Sequence, residues 1–137
     1  MKRLLTLMLT AALSLPVWAL DEAGQARLHA VQTRWAEIQY QLPEAQREAE
    51  LEKLAAESAA FTREQPQAAE AWVWHGIVTS SWAGAQGGLG ALGKAKDAKT
   101  YLEKAKQAAP RPGRELADSG RQGEIDQLLL EVNKKLN

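Results

Sequence analysis

Two helical periods separated by a glycine-rich segment constrain this chain more than any other stretch. Gly84-Ala-Gln-Gly-Gly-Leu-Gly-Ala-Leu-Gly93 places five glycines in ten residues. On its N-terminal side Trp72, Gly76, Thr79 and Ala83 recur at spacings of four, three and four, which is one face of a 3.6-residue helix predicted over Ala69 to Trp82. On its C-terminal side Ala98, Leu102, Ala105 and Ala109 repeat the device over Lys94 to Ala109, while Lys96, Lys99, Glu103 and Lys106 fall on the wet side and Pro110 stops the helix. Small residues dominate both inner faces. They let two backbones approach closely, so an antiparallel helical hairpin is expected over 68–110, with the glycine segment as a connector too long for a simple turn.

The remaining periods are helical as well. Asp21 can cap a first helix running to about Gln41, with Leu28, Val31, Trp35, Ile38 and Leu42 on one stripe, which suits a core face or a seam between protomers. Pro43 restarts the chain in the first turn of a second helix, Glu44 to Arg63, whose inner face is Leu51, Leu54, Ser58 and Phe61. The two form a helical pair over 21–65. After the connector Arg111-Pro112-Gly113-Arg114 comes Glu115 to Ser119 and a final amphipathic helix. Ile125, Leu128, Leu129, Val132 and Leu136 lie on one face, and Lys134 and Lys135 sit in the last turn, where they suit the helix dipole. The expected fold is all-α: about five helices in antiparallel hairpins, closed by a capping helix over 114–137.

The hairpin resembles the tetratricopeptide repeat, a unit of 34 residues with the pattern W-x2-L-G-x2-Y…A-x3-F…P. Trp72 and Gly76 stand at the tryptophan and glycine places, Ala98 and Ala105 at the small-residue places, and Pro110 at the closing proline. His75, Thr79 and Leu102 replace the leucine, tyrosine and phenylalanine of the pattern. Pro66 and Pro110 are 44 residues apart, ten more than the repeat length, and the excess coincides with Gly84 to Gly93. The stretches Trp82 to Gly93 and Ala109 to Asp118 also resemble a group of exported tetratricopeptide-type proteins of Gram-negative bacteria, of which this chain looks like a shortened member. The resemblance implies a helical interaction scaffold and brings no known chemistry.

Residues 1–19 read as a secretory signal. Lys2 and Arg3 open it, a mostly apolar run of twelve follows from Leu4 to Leu15, Pro16 breaks it, and Val17-Trp18-Ala19 offers a cleavage site. Twelve residues fall short of the roughly 20 that span a bilayer, so no stable membrane anchor is expected. Residues 20–137 are then a single exported domain. The bacterial periplasm is its expected location, an extracellular one being the other possibility. The chain has no cysteine, which excludes a lipidated N-terminus, a disulfide framework and thiolate chemistry.

Without Lys2 and Arg3 the chain has 15 basic against 17 acidic residues and no basic stripe interleaved with aromatics, so nucleic acid is not an expected partner. Gly88 to Gly93 fits G-x-G-x-x-G and Gly88 to Lys94 fits G-x-x-x-x-G-K, yet no strand precedes them and Ala95 stands where a nucleotide loop needs Ser or Thr for magnesium. A connector is the expectation, with Lys94, Lys96 and Lys99 near a helix start as a possible anion or acidic-partner contact. His29 and His75 have no partner at metal-ligand spacing, and Ser80-Ser81 has no histidine in any known catalytic motif; neither an enzyme nor a cofactor is expected. Among the aromatics, Trp72 is expected in the core. Trp74, about 200° away on the same helix, and Trp82 are expected either to pack on neighbouring helices or to form a recognition surface. Two functions are compatible with these residues. One is protein–protein interaction through the groove of the helices. The other is small-molecule binding or accessory transport, with Trp74, Trp82, Gly88, Gly90 and Lys94 as contacts and the glycine segment closing a pocket.

Overall fold

The computed structural model describes residues 20–108 and 115–137, and among them the chain is all-helical, with five helices and no strand. The signal segment 1–19, the stop at Pro110 and the connector 111–114 lie outside the described residues. The helices are α1 (Glu22–Tyr40), α2 (Glu44–Glu64), α3 (Ala69–Gln86), α4 (Gly88–Lys106) and α5 (Glu115–Leu136).

Local chemistry sets the ends. The Asp21 carboxylate accepts from the Gly24 N–H at 2.8 Å and Glu22 adds negative charge to the first turn of α1. Pro43 stands at the N-cap of α2 with φ −55° and ψ 144°, one position earlier than the first-turn place expected for it. The turn between α2 and α3 is held by the Trp72 Nε1–H, which donates to the Pro66 carbonyl at 2.8 Å.

Ion pairs give the helix directions. Arg27 meets Glu64 and Arg34 meets Glu50, so α1 and α2 run oppositely. Gly76 faces Leu102 while Gln86 meets Lys94, so α3 and α4 do too. Arg121 pairs with the buried Glu70 at 2.5 Å, and Lys135 shares a cavity wall with Gly84; both couples are 51 residues apart, which makes α3 and α5 parallel. Each helix packs on the next, and α1 also reaches α3.

The central helix is α3, and it is covered on two sides. Val78, with Trp74 and Trp82 one turn to either side of it, packs on Val31, Ile38, Leu51 and Leu54 of α1 and α2. Trp72 and Val73 pack on the other cluster, Leu102, Ala105, Ile125 and Val132 of α4 and α5. A third cluster of Leu20, Phe61, Ala68 and Ala71 closes the end near the α2–α3 turn. The expected stripe was therefore half of the pattern. Gly76, Thr79 and Ala83 are buried as the spacing requires, but Trp72 is only half-buried and Trp74 serves an opposite face of equal weight.

The close approach of α3 to α4 rests on Gly76. A Cβ there would stand 2.9 Å from Leu102 Cγ and 3.0 Å from its Cδ2, inside ordinary contact. Of the other inner-face residues expected, Ala98, Leu102 and Ala105 of α4 are buried, as are Leu51, Leu54, Ser58 and Phe61 of α2, while Ala109 lies outside the described residues. Of the first expected stripe, Val31 and Ile38 are buried and Leu28, Trp35 and Leu42 half-buried, Leu42 lying just past the end of α1, so the stripe is a core face within the chain.

The glycine segment departs most from expectation. It is not a ten-residue loop: α3 continues to Gln86, α4 begins at Gly88, and Gly87 alone lies outside a helix. Gly87 adopts φ 66° and ψ −177°, a region essentially restricted to glycine, and Gly88 follows at φ 64°. Two consecutive positive φ values reverse the chain within one residue, so the flanking glycines are left to helix. At the other end α4 stops at Lys106 rather than Ala109, and α5 is one continuous helix that includes Glu115 to Ser119.

Candidate functional site

Four of the five expected contact residues are gathered at the α3–α4 corner. The Lys94 ammonium lies 4.2 Å from the centre of the Trp82 ring and donates to Gln86 Oε1. Gly90 makes room for this arrangement, because a Cβ there would meet the Gln86 amide at 3.0 Å. Gly88 stands beside them at the chain reversal, with open space around it. Trp74 is separate, two turns down α3 and about 12 Å along its axis from Trp82. Its ring meets Trp35 edge to face, with centroids 5.7 Å apart. Both tryptophans are thus packing residues of the α1–α2 cluster.

The lysines do not sit at a helix start. Because α4 begins at Gly88, Lys94, Lys96 and Lys99 lie two to three turns inside it, beyond the reach of the helix-terminal field. Lys94 also rests on the Trp82 ring and donates to Gln86, so the helix-terminal field adds nothing to the attraction these lysines have for an anion.

A cleft that spacing could not reveal opens where the C-terminal ends of α1, α3 and α5 meet the start of α2. It encloses about 350 Å³ and is open to solvent. Trp35 forms its wall and is held in place: its Nε1–H donates to Ser81 Oγ at 2.9 Å, and the Ser81 hydroxyl donates in turn to the Ile77 carbonyl at 2.9 Å. The exposed Tyr40 meets Trp35 at 6.1 Å with rings nearly perpendicular. Gln39, Glu44, Ser80 and Lys135 contribute polar groups, and Arg47 is oriented by donating its Nε–H to the Leu42 carbonyl at 3.1 Å. The cleft therefore offers an aromatic wall, two cations and one carboxylate. Such a mixture suits a peptide-like surface, with an apolar body and polar groups at its edge. Neither this cleft nor a shallower depression beside Gly120, Gly123 and Leu128 touches Gly87 to Gly93.

A serine–histidine contact is present elsewhere. Ser58 Oγ and His75 Nδ1 lie 2.7 Å apart between α2 and α3, and the Tyr101 ring covers the imidazole at 4.1 Å. Ser58 also donates to the Ala55 carbonyl at 3.1 Å, which leaves its oxygen free to accept the Nδ1–H. Burial, aided by the Arg63 charge, pushes the imidazole down to about 4, and burial pushes the Tyr101 hydroxyl up. Ser58 is fully buried, His75 nearly so, and neither is among the residues lining the two cavities, so the pair serves as a bond between α2 and α3. His29 is exposed on α1, and no cluster of three potential metal ligands exists among the described residues.

The residues missed in sequence were Gln39, Arg47 and Lys135, together with the role of Trp35 as a wall. Trp35 was legible as a member of a stripe and Lys135 as a dipole partner, but a hundred residues separate them. Only the parallel course of α3 and α5 brings them together. Compared with protein-family models, with curated proteins and with solved structures, the chain has no match in any of the three.

Proposed function

We propose that this chain is an exported, tetratricopeptide-like adaptor of the periplasm that binds a segment of another protein in the cleft bounded by Trp35, Ser81, Arg47 and Lys135. The observation that carries the reading is the cleft itself: a fixed aromatic wall, both signs of charge, and about 350 Å³ of open volume between three helix ends. Open, mixed surfaces of this kind accept an extended or helical peptide. Export is supported by the basic, apolar and small-residue order of positions 1–19.

The rival reading, a small-molecule site closed by the glycine segment, has less to stand on, because only Gly84 and Ala85 of that segment, in the last turn of α3, border the cleft, and Gly87 to Gly93 border neither cavity. The two readings are separated by placing a photoreactive amino acid at Gln39 or Ser80, and at the exposed Gln107 as control, in protein produced with export intact. A discrete protein adduct from the cleft positions only is expected. Adducts from all three positions alike, or none, would count against the cleft.

A further inference from the structure

We propose that the α3–α4 corner is a second contact surface, which docks reversibly on an anionic lipid surface. The corner stands clear of the rest of the fold. Residues Gly84 to Gly90 are all exposed, and nothing lies within 4 Å of where a Cβ would be at Gly84, Gly87, Gly88 or Gly93. On this uncovered tip Leu89 is 88% exposed and Leu92 42% exposed, two of the four large apolar side chains that the described residues leave in water.

Depth and charge select the occupant. At about 1.5 Å of rise per residue, Leu89 and Leu92 lie within roughly 6 Å of the reversal at Gly88. Trp82 and Lys94 follow at roughly 7 to 9 Å, and Lys96 at roughly 12 Å. A peripheral helix end buries its apolar side chains roughly 5–10 Å into the headgroup boundary, with tryptophan and lysine at headgroup level. The cation resting on the Trp82 ring at 4.2 Å is that pairing already formed. Residues 84 to 96 contain no carboxylate, and Asp97 is the first to follow. At the same end of the bundle Arg47 and Lys135 line the neighbouring cleft with Glu44, and the exposed Lys134 lies beside Lys135. Within residues 84 to 96 the only charged side chains are Lys94 and Lys96, so the tip that carries the two leucines is positive, which complements a negatively charged bilayer. The contact is reversible in kind, since no described helix is long and apolar enough to cross a membrane.

The absence of cysteine allows a single label to report the contact. Leu89→Cys and, as control at the other end of α4, Gln107→Cys are labelled with a polarity-sensitive fluorophore in the exported protein and mixed with vesicles of phosphatidylcholine alone or with phosphatidylglycerol. A blue shift at position 89, only with the anionic vesicles and weakened by salt, is expected. Unlabelled Leu89→Ser/Leu92→Ser protein, whose helical content should be unchanged because both leucines are exposed, should bind these vesicles about tenfold more weakly or worse. No shift at 89, an equal shift at 107, equal shifts with neutral vesicles, or undiminished binding by the double variant would each overturn the proposal. A protein adduct from a photoreactive amino acid placed at Leu89, with no vesicle binding, would reassign the tip to a protein partner and overturn it as well. None of these outcomes depends on the cleft, so the two surfaces are judged separately.

Discussion

Ser58 Oγ and His75 Nδ1, 2.7 Å apart, join α2 to α3 through the one buried imidazole among the described residues. Burial disfavours its charged form and holds it down at about 4, well below the ordinary 6.5. Between those values an unfolded chain binds a proton that the native chain refuses. Stability is therefore full above about pH 6.5 and falls as the pH drops towards about 4. The imidazole accounts for about 2 kcal/mol of that loss by pH 4.5. Urea midpoints at pH 7 and 4.5 check this: a His75→Gln variant should lose less stability over the interval than the unmodified chain, although it starts lower.

Gly76→Ala tests the close approach of α3 and α4. Alanine is the better helix former by about 1 kcal/mol, but its methyl group would stand 2.9 Å from Leu102, itself fully buried. Overpacking wins, with a net destabilisation of about 1–2 kcal/mol by urea denaturation. Trimming Leu102 as well should recover none of the lost apolar burial, so Gly76→Ala/Leu102→Ala should be less stable than Gly76→Ala.

At the corner, two glycines should respond in opposite directions. Gly87 holds φ 66° and ψ −177°, so Gly87→Ala costs about 1–3 kcal/mol of strain. Gly93 is helical, has no positive φ and has open space around it, so Gly93→Ala stabilises by up to about 1 kcal/mol. Thermal midpoints of the two variants check the contrast. A true loop would have tolerated both.

Trp72 and Trp74 pack on opposite sides of α3, on the α4–α5 and α1–α2 clusters respectively. Each is half-buried, so each truncation to alanine should cost about 2–3 kcal/mol, toward the low end for tryptophan. With no shared partner the costs should add within about 0.5 kcal/mol. A coupling well above that, in a double-mutant cycle on urea unfolding, would mean that one core spans both faces.

Sequence pattern carried the helices and their register because burial follows period, and a 3.6-residue stripe survives in any tertiary setting. The stripe through Val31 and Ile38 is such a case, and Asp21 caps α1 as its residue type predicts. It failed at Gly84 to Gly93 because helix propensity weighs each glycine separately, whereas Gly87 and Gly88 absorb the whole reversal and packing carries the others. Trp74 was ambiguous for a related reason: one stripe was assigned to α3, while a helix between two layers has two. The cleft was illegible, since Trp35 and Lys135 meet only through the order of the array.

Retention of a partner on immobilised protein, with and without Ser80→Arg/Lys135→Glu, tests the cleft most directly. Lys135 is exposed and Ser80 half-buried, so the variant should keep its helical content and thermal midpoint while it fills and recharges the cleft. If the cleft is the binding surface, a protein from the periplasmic fraction that cross-links at Gln39 is retained by the unmodified chain and lost from the folded variant. Equal retention by both would contradict it.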